Sequence, residues 1–272
     1  MILDAVQKGC RKFIIGIGGS ATTEGGIGML SALGYDFMDE NGDILPPVFA
    51  SLEKVVQIEN NRVPAVLKDC HFQIACDVTN PLCGAQGCVY VFGAQKGVKE
   101  EEKESMDRAM QSYAACLEKS TGKKLSDIPG TGAAGGLGFA FLWGLPNVEL
   151  KPGIDIVLEA VGLTNELKDA DVVVTGEGCL DFQTAMGKVP VGVAKTAKNY
   201  NCKVIAFAGS VTEEAKNCNE KGIDAFFSIL PGVCSLDEAM DTEIAQKNMR
   251  NAAEQVFRLI LACGKEKSFL HP

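Results

Sequence analysis

The sequence is short of imidazole, with only His71 and His271 in 272 residues. A histidine-based catalytic triad is therefore poorly supported, and any general base is more readily a carboxylate. His71 opens a predicted strand and His271 sits in the C-terminal tail, where both read as structural or solvent-facing. Excess positive charge is also absent. Lysine and arginine number 26 against 35 acidic residues, a formal charge of −9, which leaves no footprint for a nucleic-acid backbone. No apolar run reaches the roughly 18 to 20 residues of a membrane span. Met1-Ile-Leu-Asp lacks the basic start and long apolar core of a secretory signal. No Cys-x-x-Cys pair occurs among the eleven cysteines. Cys83 and Cys88 are close in sequence, but with so few histidines a structural zinc site is not expected. Cys76, Cys116 and Cys202 fall in apolar runs and read as buried side chains. The expected setting is a reducing cytoplasm. A Walker A motif is missing too, since Gly187-Lys188 is followed by Val189, which has no hydroxyl for magnesium.

What the sequence has in quantity is glycine, 30 residues gathered in loops, and 46% hydrophobic side chains, enough for a sizeable core. Residues 2 to 9 predict a short helix stopped by Gly9, and Lys12 to Ile17 a buried strand. A helix is expected from about Gly25 to Leu33, a turn at Asp39 to Asp43, and short strands at Val55–Ile58 and His71–Cys76. Met106, Ala109, Met110, Tyr113 and Leu117 recur at helical spacing within Glu101 to Lys119, an ordinary core-packing stripe. Gly130 to Gly138 leads into an apolar helix ending near Trp143. Beyond Pro146 the texture changes. Strands at Asp171–Thr175, Lys203–Ala208 and Ala225–Ile229 alternate with helices at Pro190–Tyr200 and from Thr212, followed by a terminal helical region capped by Ser235 and Glu238. Alternation of this kind predicts βαβ units and a mostly parallel sheet. The expectation is a two-domain α/β chain divided near residue 150, residues 1–150 being one α/β domain and 151–272 the other.

Four loops combine glycines with reactive side chains. Gly16-Ile-Gly-Gly-Ser-Ala-Thr-Thr-Glu-Gly-Gly lies between a strand and a helix, so backbone N–H groups and the hydroxyls of Ser20, Thr22 and Thr23 can converge on an anion. A tight turn without ligand accounts for the same pattern. Gly16-x-Gly18-x-x-Ala21 with Asp36 also fits a loose dinucleotide fingerprint, which alone is a weak signal for a nicotinamide oxidoreductase. Asp77 sits where a strand should end, placed either to hold magnesium or take a proton, or to cap the next turn with Asn80. Gly130 to Gly138 reads either as a phosphate nest or as a close-packed helix start. Thr175 to Lys188 presents Glu177, Asp181, Gln183, Thr184 and Lys188 in a short span, with Lys188 near a helix N-terminus. Carboxylates beside a phosphate-binding lysine suit magnesium-assisted phosphoryl transfer.

Six stretches, in order, resemble the glycerate kinase family. They are Ile15-Gly-Ile-Gly-Gly-Ser-Ala-Thr-Thr-Glu-Gly-Gly, Ala75-Cys-Asp-Val-Thr-Asn-Pro-Leu-Cys-Gly, Val91-Phe-Gly-Ala-Gln-Lys-Gly, Gly132-Ala-Ala-Gly-Gly-Leu-Gly, Thr175-Gly-Glu-Gly-Cys-Leu-Asp-Phe-Gln-Thr and Gly187-Lys-Val-Pro-Val-Gly-Val-Ala. The resemblance implies transfer of the ATP γ-phosphate, with Mg2+, to a hydroxyl of D-glycerate, giving 2-phosphoglycerate, with 3-phosphoglycerate as the other outcome. It implies catalytic roles for Asp77, Asp181 and Lys188, and magnesium binding by Asp77, Asp181 and Glu177. It implies nucleotide contacts from Gly18, Gly19, Ser20, Thr22, Gly132, Gly135 and Gly136. Two departures stand out. Cys179 occupies a position where the family usually has arginine, and no Asp-Ser-Phe-Lys-Gly-Ser type segment is present. The expectation is therefore a chain lacking the family's N-terminal segment, with an incomplete Rossmann-like domain over 151–272, an open sheet edge, association of copies, and activity impaired or lost. A non-catalytic remnant that binds glycerate or nucleotide is the alternative.

Overall fold

The computed structural model describes residues 1–264, so His271 lies outside the described residues. The chain forms two compact units that divide between Ile156 and Val157.

In the first unit, α1 (Ile2–Gln7) leads through Gly9 to β1 (Lys12–Gly16), and α2 covers Ile27–Leu33. A small antiparallel pair follows, β2 (Asp36–Met38) with β3 (Gln57–Glu59), and then β4 (His71–Ala75). Three helices come next: α3 (Cys88–Phe92), α4 (Lys103–Thr121) and α5 (Ala133–Gly144), before β5 (Val148–Lys151). Strands β1, β4 and β5 pair in parallel in the order β1-β4-β5. Two cores hold the unit together. Phe72 and Ile74 of β4 pack with Val6, Leu67 and Phe141, while Met110, Tyr113 and Leu117 of α4 pack with Ile27, Leu30 and Phe139. The α4 stripe is thus core, as its spacing predicts. Each such fully buried side chain contributes about 1.5–3 kcal/mol.

Two strands of this unit were not anticipated. β2 is only three residues long, too short for an alternation pattern to register. β5 follows directly after Pro146 and Asn147, and the latter adopts φ 51°. Its pairing with β4 ties residues up to Lys151 into the first sheet.

Helix α6 (Gly153–Ala160) crosses the division, and α7 covers Leu163–Glu166. The second unit then runs β6 (Val172–Leu180), α8 (Phe182–Ala185), α9 (Val189–Lys198), β7 (Lys203–Val211), β8 (Ala225–Ser228), α10 (Leu236–Met240) and α11 (Thr242–Gly264). All pairings in this sheet are parallel, in the order β6-β7-β8. Alternation along β7 assigns its faces. Val204, Ala206 and Ala208 pack against Val191, Ala194 and Ala197 of α9, whereas Ile205 and Phe207 pack with Val256 of α11. Among the described residues β6 lies at one edge of the sheet, and Val174 is 45% exposed. The segment after Thr212 is a 3-10 helix, Glu213–Lys221, not the α-helix expected. Its asparagines compete with helical backbone bonding, and Asn219 donates to the Ile223 carbonyl at 2.8 Å to close the turn.

A half-buried carboxylate gives the first unit a pH signature. Glu24 accepts a hydrogen bond from the Gly28 N–H at 2.7 Å. Burial nonetheless raises its pKa, outweighing the bonds from Gly28 and Gly26. A carboxyl that holds its proton more tightly when folded adds stability below its unfolded pKa and loses it as pH rises through the folded value. Glu24→Gln keeps an acceptor oxygen and removes the half-buried charge. Its stability relative to the natural chain should improve between about pH 4 and about pH 7. Urea titrations at both pH values check this, and a pH-independent difference would count against it.

Candidate functional site

Loops at the carboxyl ends of parallel strands carry the polar groups in both units, the position where open α/β sheets place ligand contacts.

In the first unit, β1, β4 and β5 end side by side. Gly16 is in register with Ala75, and Ala75 with Lys151. The residues that follow, Gly18-Gly19-Ser20 after β1 and Cys76-Asp77 after β4, line a pocket of about 440 Å3. Asp77 reaches the end of β5 as well, since its Oδ1 accepts the Gly153 N–H at 2.8 Å. Phe92 and Lys96, from α3 and the turn after it, complete the wall with Ala134. Lys96 Nζ donates to Ser20 Oγ at 2.9 Å and to the Thr22 carbonyl at 2.7 Å. Partial burial pulls the Lys96 ammonium below the ordinary lysine range.

The glycines expected at this nest serve close packing. A Cβ on Gly132 would come within 2.2 Å of the Pro81 carbonyl oxygen, and one on Gly135 within 2.1 Å of the Thr22 carbonyl oxygen. On Gly136 it would meet Gly25 Cα at 2.7 Å. Ala134, Gly135 and Gly136 all have positive φ, which turns the chain at the start of α5, and Gly135 O accepts the Gly25 N–H at 2.9 Å. This locks the Gly132–Gly136 turn against the Thr22–Gly25 loop. The turn therefore positions the β1 loop, whose Gly18, Gly19 and Ser20 line the pocket. Asp36, the ribose partner in a dinucleotide reading, is instead bound to Arg62, whose Nε donates at 2.9 Å. It sits on the antiparallel β2, away from any βαβ crossover, so the fingerprint lacks its acidic partner.

In the second unit the reactive groups gather where β6 gives way to α8. Asp181 is the N-cap of α8, its Oδ1 accepting the Thr184 N–H at 3.0 Å, while the Thr184 hydroxyl accepts the Asp181 N–H at 3.2 Å. That hydroxyl, fully buried, also donates to Glu177. Lys188 Nζ stands 3.5 Å from Asp181 Oδ1. The Thr184 N–H, ahead of the Lys188 charge, holds the Asp181 carboxyl below the ordinary aspartate value. Lys188 is the N-cap of α9 with Pro190 in the first turn, as the sequence indicates. The structure thus brings Glu177, Asp181 and Lys188 together through Thr184, and it places Asp77 in the other unit. A cavity of about 780 Å3 in this unit includes Glu177 but neither Asp181 nor Lys188. That cavity is lined mostly by apolar side chains and strand backbone, and the reactive groups concentrate in the hydrogen-bonded cluster.

Sequence reasoning included Lys96 in the Val91–Gly97 stretch but gave neither it nor Thr184 a distinct role. Lys96 had a usable signal, a lysine followed by a turn glycine, and Gly97 does have φ 89°. Nothing in the sequence places it beside Ser20, which is 76 residues away along the chain. Among the described residues no group of three or more histidine, cysteine or acidic side chains is arranged as a metal centre. The cysteines are free, and burial pushes the Cys88 thiol up to about 12, which makes it unreactive.

The two parallel sheets and their carboxyl-end loops define an open-sheet α/β protein with its polar groups at the strand ends. Comparison with known proteins refines this. The pattern of the glycerate kinase family matches residues 1–261. A glycerate kinase of Bacillus subtilis (strain 168) is 42% identical over 254 residues, covering 93% of this chain and 66% of that protein. The glycerate 2-kinase of Escherichia coli (strain K12) is 44% identical over 239 residues, covering 88% of this chain and 62% of that protein. A crystal structure from Salmonella typhimurium LT2, assigned as glycerate kinase 2, superposes with a TM-score of 0.81 at 41% identity, covering 97% of this chain and 68% of that one. The chain belongs to the glycerate kinase family. It spans about two thirds of the length of these relatives.

Proposed function

We propose that this protein phosphorylates D-glycerate with ATP, the product being 2-phosphoglycerate. The observation that carries the reading is the cluster at the end of β6, where Glu177, Asp181, Thr184 and Lys188 share one hydrogen-bonded arrangement. Magnesium in phosphoryl-transfer sites is held by one or two carboxylates plus substrate phosphates and water. Glu177 and Asp181, joined through one threonine hydroxyl, fit that donor set. Bound there, the ion would neutralise charge on the transferring phosphoryl group. Lys188 offers a positive charge to the same phosphates.

Asp77 serves as the base. The glycerate hydroxyl oxygen attacks the γ-phosphorus, its proton passes to the Asp77 carboxylate, and the bond to the leaving ADP oxygen breaks. The Gly18–Ser20 loop lines the pocket beside Asp77, held in place by the packing of the Gly132–Gly136 turn against Thr22 and Gly25. No helix among the described residues is long and apolar enough to cross a membrane, which is compatible with a cytoplasmic site of action.

A coupled ADP-release assay with D-glycerate, ATP and Mg2+ tests the reading, with phosphorus NMR to locate the phosphate on the product. Glycerate-dependent ADP release with the phosphate on the 2-hydroxyl is expected. ADP release that is absent, or indifferent to glycerate, would reject it.

A further inference from the structure

We propose that Lys96 is the anchor for the carboxylate of the acceptor acid, in the pocket at the ends of β1, β4 and β5, with Asp77 facing the acid's hydroxyl. The inference rests on the kinase reading and assigns the substrate's polarity within it. Three observations support it.

The first is an incomplete set of partners. An ammonium has three N–H donors. Lys96 directs its Nζ to two neutral oxygens, Ser20 Oγ and the Thr22 carbonyl. No carboxylate of the described residues lies within ion-pair distance of it. A half-buried cation with its charge uncompensated and one donor to spare is poised for an anion.

The second is rigidity. Lys96 ends a short 3-10 turn closed by Gly97 in the left-handed region, and its head is tied to the β1 loop from two sides. That loop is fixed in turn by the Gly135 contact with Thr22. The ammonium is therefore held in place before any ligand arrives, which lowers the ordering cost of binding.

The third is the charge census. Among the lining residues Lys96 is the one cation and Asp77 the one carboxylate. A nucleotide triphosphate placed here would leave most of its negative charge uncompensated and would crowd Asp77. A small hydroxy acid matches both groups, its carboxylate on Lys96 and its hydroxyl toward Asp77. Phe92 supplies an apolar wall beside them.

Calorimetric titration of the chain with D-glycerate, and with its neutral amide, tests the assignment without any variant. The natural chain should bind glycerate at least roughly 10-fold more tightly than the amide, the range for a charged hydrogen bond. Lys96→Gln should weaken glycerate binding about 10- to 100-fold, abolish the preference over the amide, and leave ATP binding within about twofold. Lys96→Arg, which keeps the charge, should restore part of the affinity. Circular dichroism confirms that each variant is folded. Equal binding of acid and amide by the natural chain would overturn the proposal, as would a folded Lys96→Gln variant with unchanged glycerate affinity. A variant that loses ATP affinity instead would also overturn it. If glycerate-dependent ADP release persists in those cases, the kinase reading stands and only the role of Lys96 falls. A natural chain that neither binds nor phosphorylates glycerate removes both.

Discussion

Gly135→Ala is expected to destabilise residues 1–156 by about 4 kcal/mol or more, a large share of the stability of a typical domain. Two costs add. The residue has φ 69°, where a Cβ costs roughly 1–2 kcal/mol, and that Cβ would sit 2.1 Å from the Thr22 carbonyl oxygen. The obstacle is backbone, tied into the β1 loop, so it cannot rotate aside as a side chain would. Gly19→Ala is the matched control. Its φ is also 69°, but a Cβ there meets nothing within 4 Å, so only the conformational cost of roughly 1–2 kcal/mol remains. Urea unfolding of both variants separates strain from contact. Similar losses at the two positions would mean that the loop–turn contact does not hold this unit together.

Asp77→Asn should lower glycerate-dependent turnover by about 10^2- to 10^4-fold while leaving the fold intact. Asparagine retains an oxygen for the Gly153 N–H, which Asp77 now binds at 2.8 Å, so the end of β5 stays anchored. What it loses is the capacity to accept a proton. Turnover in the coupled assay, together with a thermal melt, checks both halves. A variant as active as the natural chain would remove Asp77 from the chemistry and leave it as a turn cap. Asp181→Asn offers a contrast, because Asp181 has structural duties of its own: it caps α8 and pairs with Lys188. Capping by a neutral oxygen survives that change, so reduced turnover in the Asn variant would point to lost charge and not to a lost cap.

Much of the architecture was legible because local rules and global packing agree. The helix over Lys103–Thr121 announces itself by helical spacing, and Ala109, Met110, Tyr113 and Leu117 are buried as marked. The strand at Lys12–Gly16 forms where its apolar run indicates but is not the buried strand expected: it lies at a sheet edge, with Phe13 and Ile15 half-buried against the core and Ile14 59% exposed. The parallel second sheet follows from alternation of strands and helices, and the Ser235–Glu238 capping box forms as written. Short elements escaped. β2 and β5 owe their existence to partners 19 or more residues away, and periodicity over three or four residues carries almost no signal. The 3-10 segment at Glu213–Lys221 escaped for a related reason, since composition there is compatible with either helix and side-chain bonds to the following turn decide.

For the site, the sequence by itself determined which residue types are available and on which loops: Asp77 at a strand end, Asp181 and Lys188 around a helix start, and glycines too numerous to be incidental. Only the tertiary structure decided what each does. It turned Gly132, Gly135 and Gly136 into packing contacts, because close backbone approach is a property of two distant segments and is written in neither alone. It bound Asp36 to Arg62 and so took it from any ribose. It brought Lys96 to Ser20 across 76 residues of chain, where parallel pairing of β1 with β4 sets their loops side by side. Charge compensation depends on distance in space, and the fold alone fixes that distance.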